Sequence, residues 1–342
     1  MSQLTEPLPS LEEILAKLLD ESELDSVLGC AVDGHSKDGN PPRLSLLHLR
    51  FNEDTPNLDN LVSYLCSQAM NYALNRKRRD GFIAELQNAK NGNLSVIQRI
   101  NKAVRDAFIE FREAFPNRAS EVGEVLAFCI ATHYLQASQL IAKMSLKTSP
   151  NMPVHGLDGV HAAVKGDTLT VYFLESKLTS TAAKGLKDFA ESIKGFDGKP
   201  KQYAREYELV CNLGNLDTLP ENEREHLLGY LDVYSKASVL KRERSVGVVC
   251  YSEEKHYSNV LPIDDGDVQK HENHFAGLFA ADHEVHQKYL LGQLKKHELL
   301  PGKCSVYLVA VPSVATLRKS FYSELGIPPI EDEQDDTNAK EA

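Results

Sequence analysis

The sequence predicts a mixed α/β protein, with a helix–strand–strand–strand–helix–strand core (α-β-β-β-α-β) behind an N-terminal α+β region. Three observations carry that expectation. Residues 120–143 (SEVGEVLAFCIATHYLQASQLIAK) place Val122, Val125, Leu126, Cys129, Ile130 and His133 on one side of a helix, with Ser120 as its cap. The period then changes through short runs that end in the β-branched and aromatic stretch 169–178 (LTVYFLESKL), before helical spacing returns over 180–195. Finally, residues 245–251 (SVGVVCY) and 304–311 (CSVYLVAV) are continuous apolar runs, as expected of strands covered on both faces.

Taken in order, residues 9–20 have helical spacing, with Ser10 as N-cap and acids in the first turn. Residues 26–33 and 44–51 read as a strand pair around the turn-rich loop GHSKDGNPP. Helical patterns cover 57–75, followed by the basic cluster 76–79, and then 95–115. After the 120–143 helix come three expected strands, at 144–148, 154–164 and 169–178, the last two joined by a tight turn at Lys165-Gly166-Asp167. The helix over 180–195 is expected to stop at Gly195, more helix follows over 198–240, and another spans 267–297. This divides the chain into an N-terminal α+β region (1–115), a main domain with helical insertions (116–330) and an acidic, disordered tail (331–342).

Composition bounds the function. With 42% apolar residues among 342, the chain can bury a sizeable core. No apolar run approaches the roughly 18 residues a membrane helix needs, and the acidic start lacks the pattern of a signal peptide, so a cytoplasmic protein with no membrane partner is expected. The six cysteines are scattered with no CxxC pair, against a zinc ribbon or a disulfide scaffold. The net charge of −11 speaks against a tight, non-specific DNA coat. Yet the acids concentrate at the ends: residues 1–30 carry −6 and 331–342 carry −5, leaving the 300 residues between them neutral overall. A local DNA groove remains compatible with that distribution.

The residues that carry chemistry are Asp158, Glu175 and Lys177. Along a strand, Glu175 and Lys177 are two apart and project from one face. Two charges on one face of so apolar a strand are costly unless paired or liganded. A bare ExK arises often by chance, and an ion pair at a fraying strand end would account for it. Asp158, flanked by Gly156 and Gly159 and linked to ExK by a hairpin, makes chance a poor explanation. If the two strands pair, both carboxylates can converge on one hard cation such as Mg²⁺, with Mn²⁺ as the alternative. Lys177 would then orient a water or stabilise developing negative charge, and the Ser176 carbonyl could complete the coordination shell.

This order of elements, with an acid on the second strand and ExK on the third, resembles the PD-(D/E)xK nuclease superfamily, whose core has the restriction-endonuclease-like fold. The segment HGLDGVHAAVKGDTLTVYFLESKL resembles, more closely, the HamA family, the nuclease component of the Hachiman anti-phage defence system. The resemblance implies a metal-dependent DNA endonuclease and a separate, HamB-like helicase partner that restrains it. The chain itself has no GxxxxGK[ST] motif, in keeping with a separate motor. In the superfamily a glutamate from the preceding helix often joins the metal site. Glu124, embedded among apolar neighbours, is the choice here, although Glu121 lies on nearly the same face.

Other residues are weighed against blander readings. Lys184, in the first turn after ExK, suits a DNA phosphate. His155 and His161 flank Asp158 and could touch phosphate, but a structural role is the simpler expectation. The basic runs 76–79 and 241–244 read as solvated helix ends. His271-x-x-His274 and His283-x-x-His286 have a spacing that can share a metal, which allows a zinc hydrolase, but neither forms HExxH and polar helix faces explain them. The main alternative to a nuclease is a catalytically inactive, nuclease-like DNA-binding or assembly module.

Overall fold

The computed structural model describes residues 8–35, 41–88, 94–114, 121–144, 157–165, 168–197, 200–213, 215–232, 241–263 and 266–328. Helix α1 (Leu11–Ala16) opens with a capping box. The Ser10 side chain accepts from the Glu13 amide, and the Glu13 carboxylate accepts from the Ser10 amide. Strands β1 (Leu28–Val32) and β2 (Arg43–Leu49) pair antiparallel, and β3 (Phe51–Asn52) with β4 (Thr55–Pro56) forms a small separate ribbon. Three helices follow: α2 (Leu58–Ala73, capped by Asn57), α3 (Arg76–Asn88) and α4 (Leu94–Ala114).

The expected core order then appears: α5 (Glu121–Tyr134), β5 (Ser138–Gln139), β6 (Gly159–Lys165), β7 (Thr168–Thr179), α6 (Ala182–Asp197) and, after α7 (Pro200–Leu213) and α8 (Glu221–Leu231), β8 (Lys241–Ser252). The chain continues through α9 (Glu254–Tyr257), α10 (Lys270–Ala281), α11 (His283–Lys296), β9 (Cys304–Val311) and α12 (Val314–Glu324). Seven strands form one mixed sheet in the order β1-β2-β9-β8-β7-β6-β5. Strands β2, β9, β8 and β7 run parallel, and antiparallel pairs close both ends. The N-terminal strand pair therefore extends the same sheet that carries ExK, through β2 against β9. All eight residues of β9 are buried, which explains why its sequence does not alternate.

The pleat sorts the core into two layers. Leu174, Val246 and Val248 face α2, α4, α5 and α12, while Phe173, Val249 and Leu308 face α1, α6, α7, α10 and α11. Among the described residues no helix is long and apolar enough to cross a membrane.

Several boundaries differ from expectation. Helix α5 ends at Tyr134, not 143, because Gln136 takes a left-handed φ of 50° and its amide donates to the Thr132 and His133 carbonyls. That stop frees Ser138–Gln139 to be the first core strand. Met144, expected in that strand, is helical, and 145–148 lie outside the described residues. Gly195 sits inside α6, which runs on to Asp197. The basic run 241–244 begins β8 and is no helix end: the Lys241 ammonium lies over the Tyr207 ring, and Tyr207 donates to Glu243 at 2.6 Å. Ser120 and His155 lie outside the described residues, as do Gly166 and Asp167.

Candidate active site

The site is built at the mouth of the β6–β7 hairpin. Gly159 pairs with Leu174, so Asp158, the residue before it, lies where β6 meets β7, close enough for its charge to act on Glu175. Asp158 stands just ahead of β6, not within the strand as its sequence suggested, and its amide donates to the Leu174 carbonyl at 2.8 Å. Its carboxylate is held by Ser176: the backbone amide and the hydroxyl both donate to Asp158 Oδ2, at 2.8 and 2.7 Å. Sequence reasoning gave Ser176 only a carbonyl role. The structure gives its side chain an anchoring one.

Glu175 and Lys177 share a face, as their spacing requires, and Lys177 Nζ donates to Glu175 Oε1 at 2.6 Å. That face packs on α6, which sits close because Gly185 has no side chain: a Cβ there would overlap Val249. Glu175 is only 7% exposed. Burial, with the neighbouring Asp158 charge added, pushes its carboxyl up to about 7, against the pull of Lys177 and a hydrogen bond from Ser192. Burial opposes the charge on Lys177, but the carboxylates of Glu175, Asp158 and Asp188 outweigh it and hold the ammonium above its ordinary value. Two neighbouring carboxylates with one ammonium bonded to Glu175 form a site short of positive charge. A small divalent cation fits that donor set, the carboxylate oxygens of Asp158 and Glu175.

Glu124 is on the face of the sheet opposite Glu175 and Lys177, the face that the Ser176 side chain presents to α5. Gly123 of α5 packs against Ser176 and Leu178, and Glu124 is buried (3% exposed) where it accepts a hydrogen bond from Tyr72 of α2. Tyr72 is held far above its ordinary value by burial and by the charges of Glu124, Asp158 and Glu121, so the phenol stays a donor. Glu121 binds Tyr322 instead, which separates the two glutamates that the sequence left together. Among the described residues no three His, Cys, Asp or Glu side chains gather closely enough to hold a metal, so Glu124 does not close on Asp158 and Glu175 here. The site thus joins Asp158, Glu175, Ser176 and Lys177, and Glu124 is bonded to Tyr72.

Lys184 is exposed in the first turn of α6, at the end of the sheet where Glu175 and Lys177 lie. Thr181 caps that turn by accepting from the Lys184 amide, so the side chain is what Lys184 offers a phosphate. His161 is a core residue, as expected. It is 1% exposed, packs on Phe128, has no hydrogen-bond partner for either ring nitrogen among the described residues, and burial pulls it down to about 3. Arg76 and Arg79 of the basic cluster bind Asp20, while Lys77 and Arg78 stay exposed. The histidine pairs do not form a centre: His271 is buried in α10, His283 bonds the Leu44 carbonyl at 3.0 Å, and Asp282 engages His256 at 2.7 Å.

Sequence reasoning missed Tyr72, Asp188 and Ser192. Tyr72 gave no signal beyond an apolar helix face. Asp188 and Ser192 did, since they follow Lys184 at successive steps of four along α6.

The model of one family, HamA, matches residues 24–325. The chain belongs to the HamA family. The match takes in the N-terminal strand pair, the hairpin with Asp158 and Glu175, and the sheet through α12, so it covers the fold and not the ExK segment alone. Membership of the HamA family supports a component of Hachiman defence. Among curated proteins, no sequence match was found.

Proposed function

We propose that this Hachiman component is a divalent-metal-dependent deoxyribonuclease whose α-β-β-β-α-β core is of the restriction-endonuclease-like, PD-(D/E)xK type. The observation that carries the reading is the gathering of Asp158, held by Ser176, with Glu175, which feels its charge, and Lys177, bonded to Glu175 at 2.6 Å. Asp158 and Glu175 would hold Mg²⁺, with the Ser176 carbonyl as a further oxygen and Mn²⁺ as a substitute. When bound, the ion supplies charge neutralisation at the scissile phosphate and acidifies a water. Ser176 fixes the Asp158 carboxylate, and Glu175 aims the Lys177 ammonium. Lys177, charged throughout the neutral range, can donate to a phosphate oxygen and stabilise the charge that develops there. Lys184 steadies the DNA backbone without reading sequence. A helicase subunit of the HamB type would deliver DNA and restrain cutting until it does.

The test is cleavage of plasmid DNA by the purified chain with Mg²⁺, with EDTA, and with Glu175→Ala or Lys177→Ala. Cutting that needs Mg²⁺ and falls at least about 100-fold in both variants is expected. Undiminished cutting by both variants would refute the assignment. If the chain alone does not cut, the same comparison is made with the helicase and ATP; silence there favours a non-catalytic module.

A further inference from the structure

We infer that Lys143 is a positioning residue for Asp158, acting through the peptide bond that precedes it; this rests on the metal-site reading above. Lys143 lies beyond β5 and is 1% exposed, as deeply buried as the apolar core. Its Nζ is 2.7 Å from Glu206 Oε2 of α7, with both side chains 1% exposed. The same ammonium donates to the Leu157 carbonyl oxygen. The Glu206 carboxylate is thus the counter-charge beside an ammonium that also reaches the peptide.

The Leu157 carbonyl and the Asp158 amide belong to one planar peptide unit. Lys143 holds its oxygen, and the Leu174 carbonyl accepts from its N–H at 2.8 Å. With both ends pinned, the plane cannot rotate, and the direction in which Asp158 leaves the backbone is set. Ser176 then fixes the carboxylate itself. Two apolar side chains would fill the space beneath Leu157 at lower desolvation cost than a buried ion pair. What they would not supply is a donor for the carbonyl of a residue that precedes β6. Supports of this kind behind a metal ligand tune affinity without touching the ion.

The experiment measures Mn²⁺ binding to the full chain by electron paramagnetic resonance of the free ion, so that it does not depend on cleavage. Wild type is compared with Asp158→Asn and with the double variant Lys143→Met/Glu206→Gln, which removes both buried charges and spares either from being left alone. Far-UV circular dichroism confirms that each is folded. Wild type is expected to bind, Asp158→Asn to lose the site, and the double variant to bind at least about tenfold more weakly. Equal binding by wild type and the double variant would overturn the role of Lys143. Equal binding by wild type and Asp158→Asn, or none by either, would instead overturn the metal-site reading and the inference with it. Should the double variant not fold, Lys143→Arg decides: it keeps the ion pair but replaces a compact ammonium with a planar fork that displaces the donor from the Leu157 carbonyl. Weakened binding then supports the inference, and unchanged binding overturns it.

Discussion

Glu175 and Asp158 are charge neighbours at the hairpin mouth, and Lys177 is bonded to Glu175 there. The consequence is read at Glu175. Burial and the Asp158 charge raise its carboxyl from the ordinary 4.5 to about 7. A carboxyl raised in the folded state binds a proton there that the unfolded chain has already released. Metal-free protein therefore loses stability from this group as pH climbs from about 4.5 to about 7, and the loss is complete above that window. Glu175→Gln removes the ionised carboxylate. Urea unfolding should find the variant on the order of 1–3 kcal/mol more stable than wild type at pH 8 and nearly equal at pH 4.5. A variant less stable at pH 8 would mean that the Lys177 pairing outweighs the burial of the charge. ExK spacing foretold the shared face of Glu175 and Lys177, because a strand's period is fixed. It could not foretell that Ser176 Oγ reaches Asp158, since that contact depends on where β6 begins.

At the scale of elements, helix α6 and strand β8 meet at Gly185, with no room for a Cβ beside Val249 and Thr179. This contact sets how closely α6 approaches the Glu175 face and delivers Asp188 and Ser192 to it. Gly185→Ala gains helix propensity but overlaps the strand, and overpacking of this kind costs about 1–3 kcal/mol. The variant should unfold at lower temperature in a thermal scan and bind divalent cations more weakly; a higher midpoint would show that the helix can shift without penalty. Most elements were legible in the sequence because their period is local: α2, β7, β8 and β9 fall within a few residues of expectation. Two misplaced boundaries share a cause. The end of α5 is decided by Gln136 turning left-handed and capping carbonyls with its own side chain, which leaves no mark in hydrophobic spacing. The short β5 follows from that stop, and two residues are too few to show a period.

For the whole molecule, the pattern of local runs did not reveal that β1 and β2 would extend the ExK sheet, since parallel pairing of β2 with β9 joins segments some 260 residues apart. The chain carries two sets of metal-type ligands on that one scaffold: the carboxylates at the hairpin mouth and the histidine pairs of α10 and α11. Their surroundings differ in kind. The histidines are engaged in packing and in contacts such as His283 to Leu44, whereas Asp158 and Glu175 meet with a deficit of positive charge. Anomalous diffraction from crystals of the protein grown with Mn²⁺ separates the two sets directly. The expected result is one strong peak between the carboxylates of Asp158 and Glu175. A peak at His271/His274 or His283/His286 with none at the hairpin mouth would contradict it.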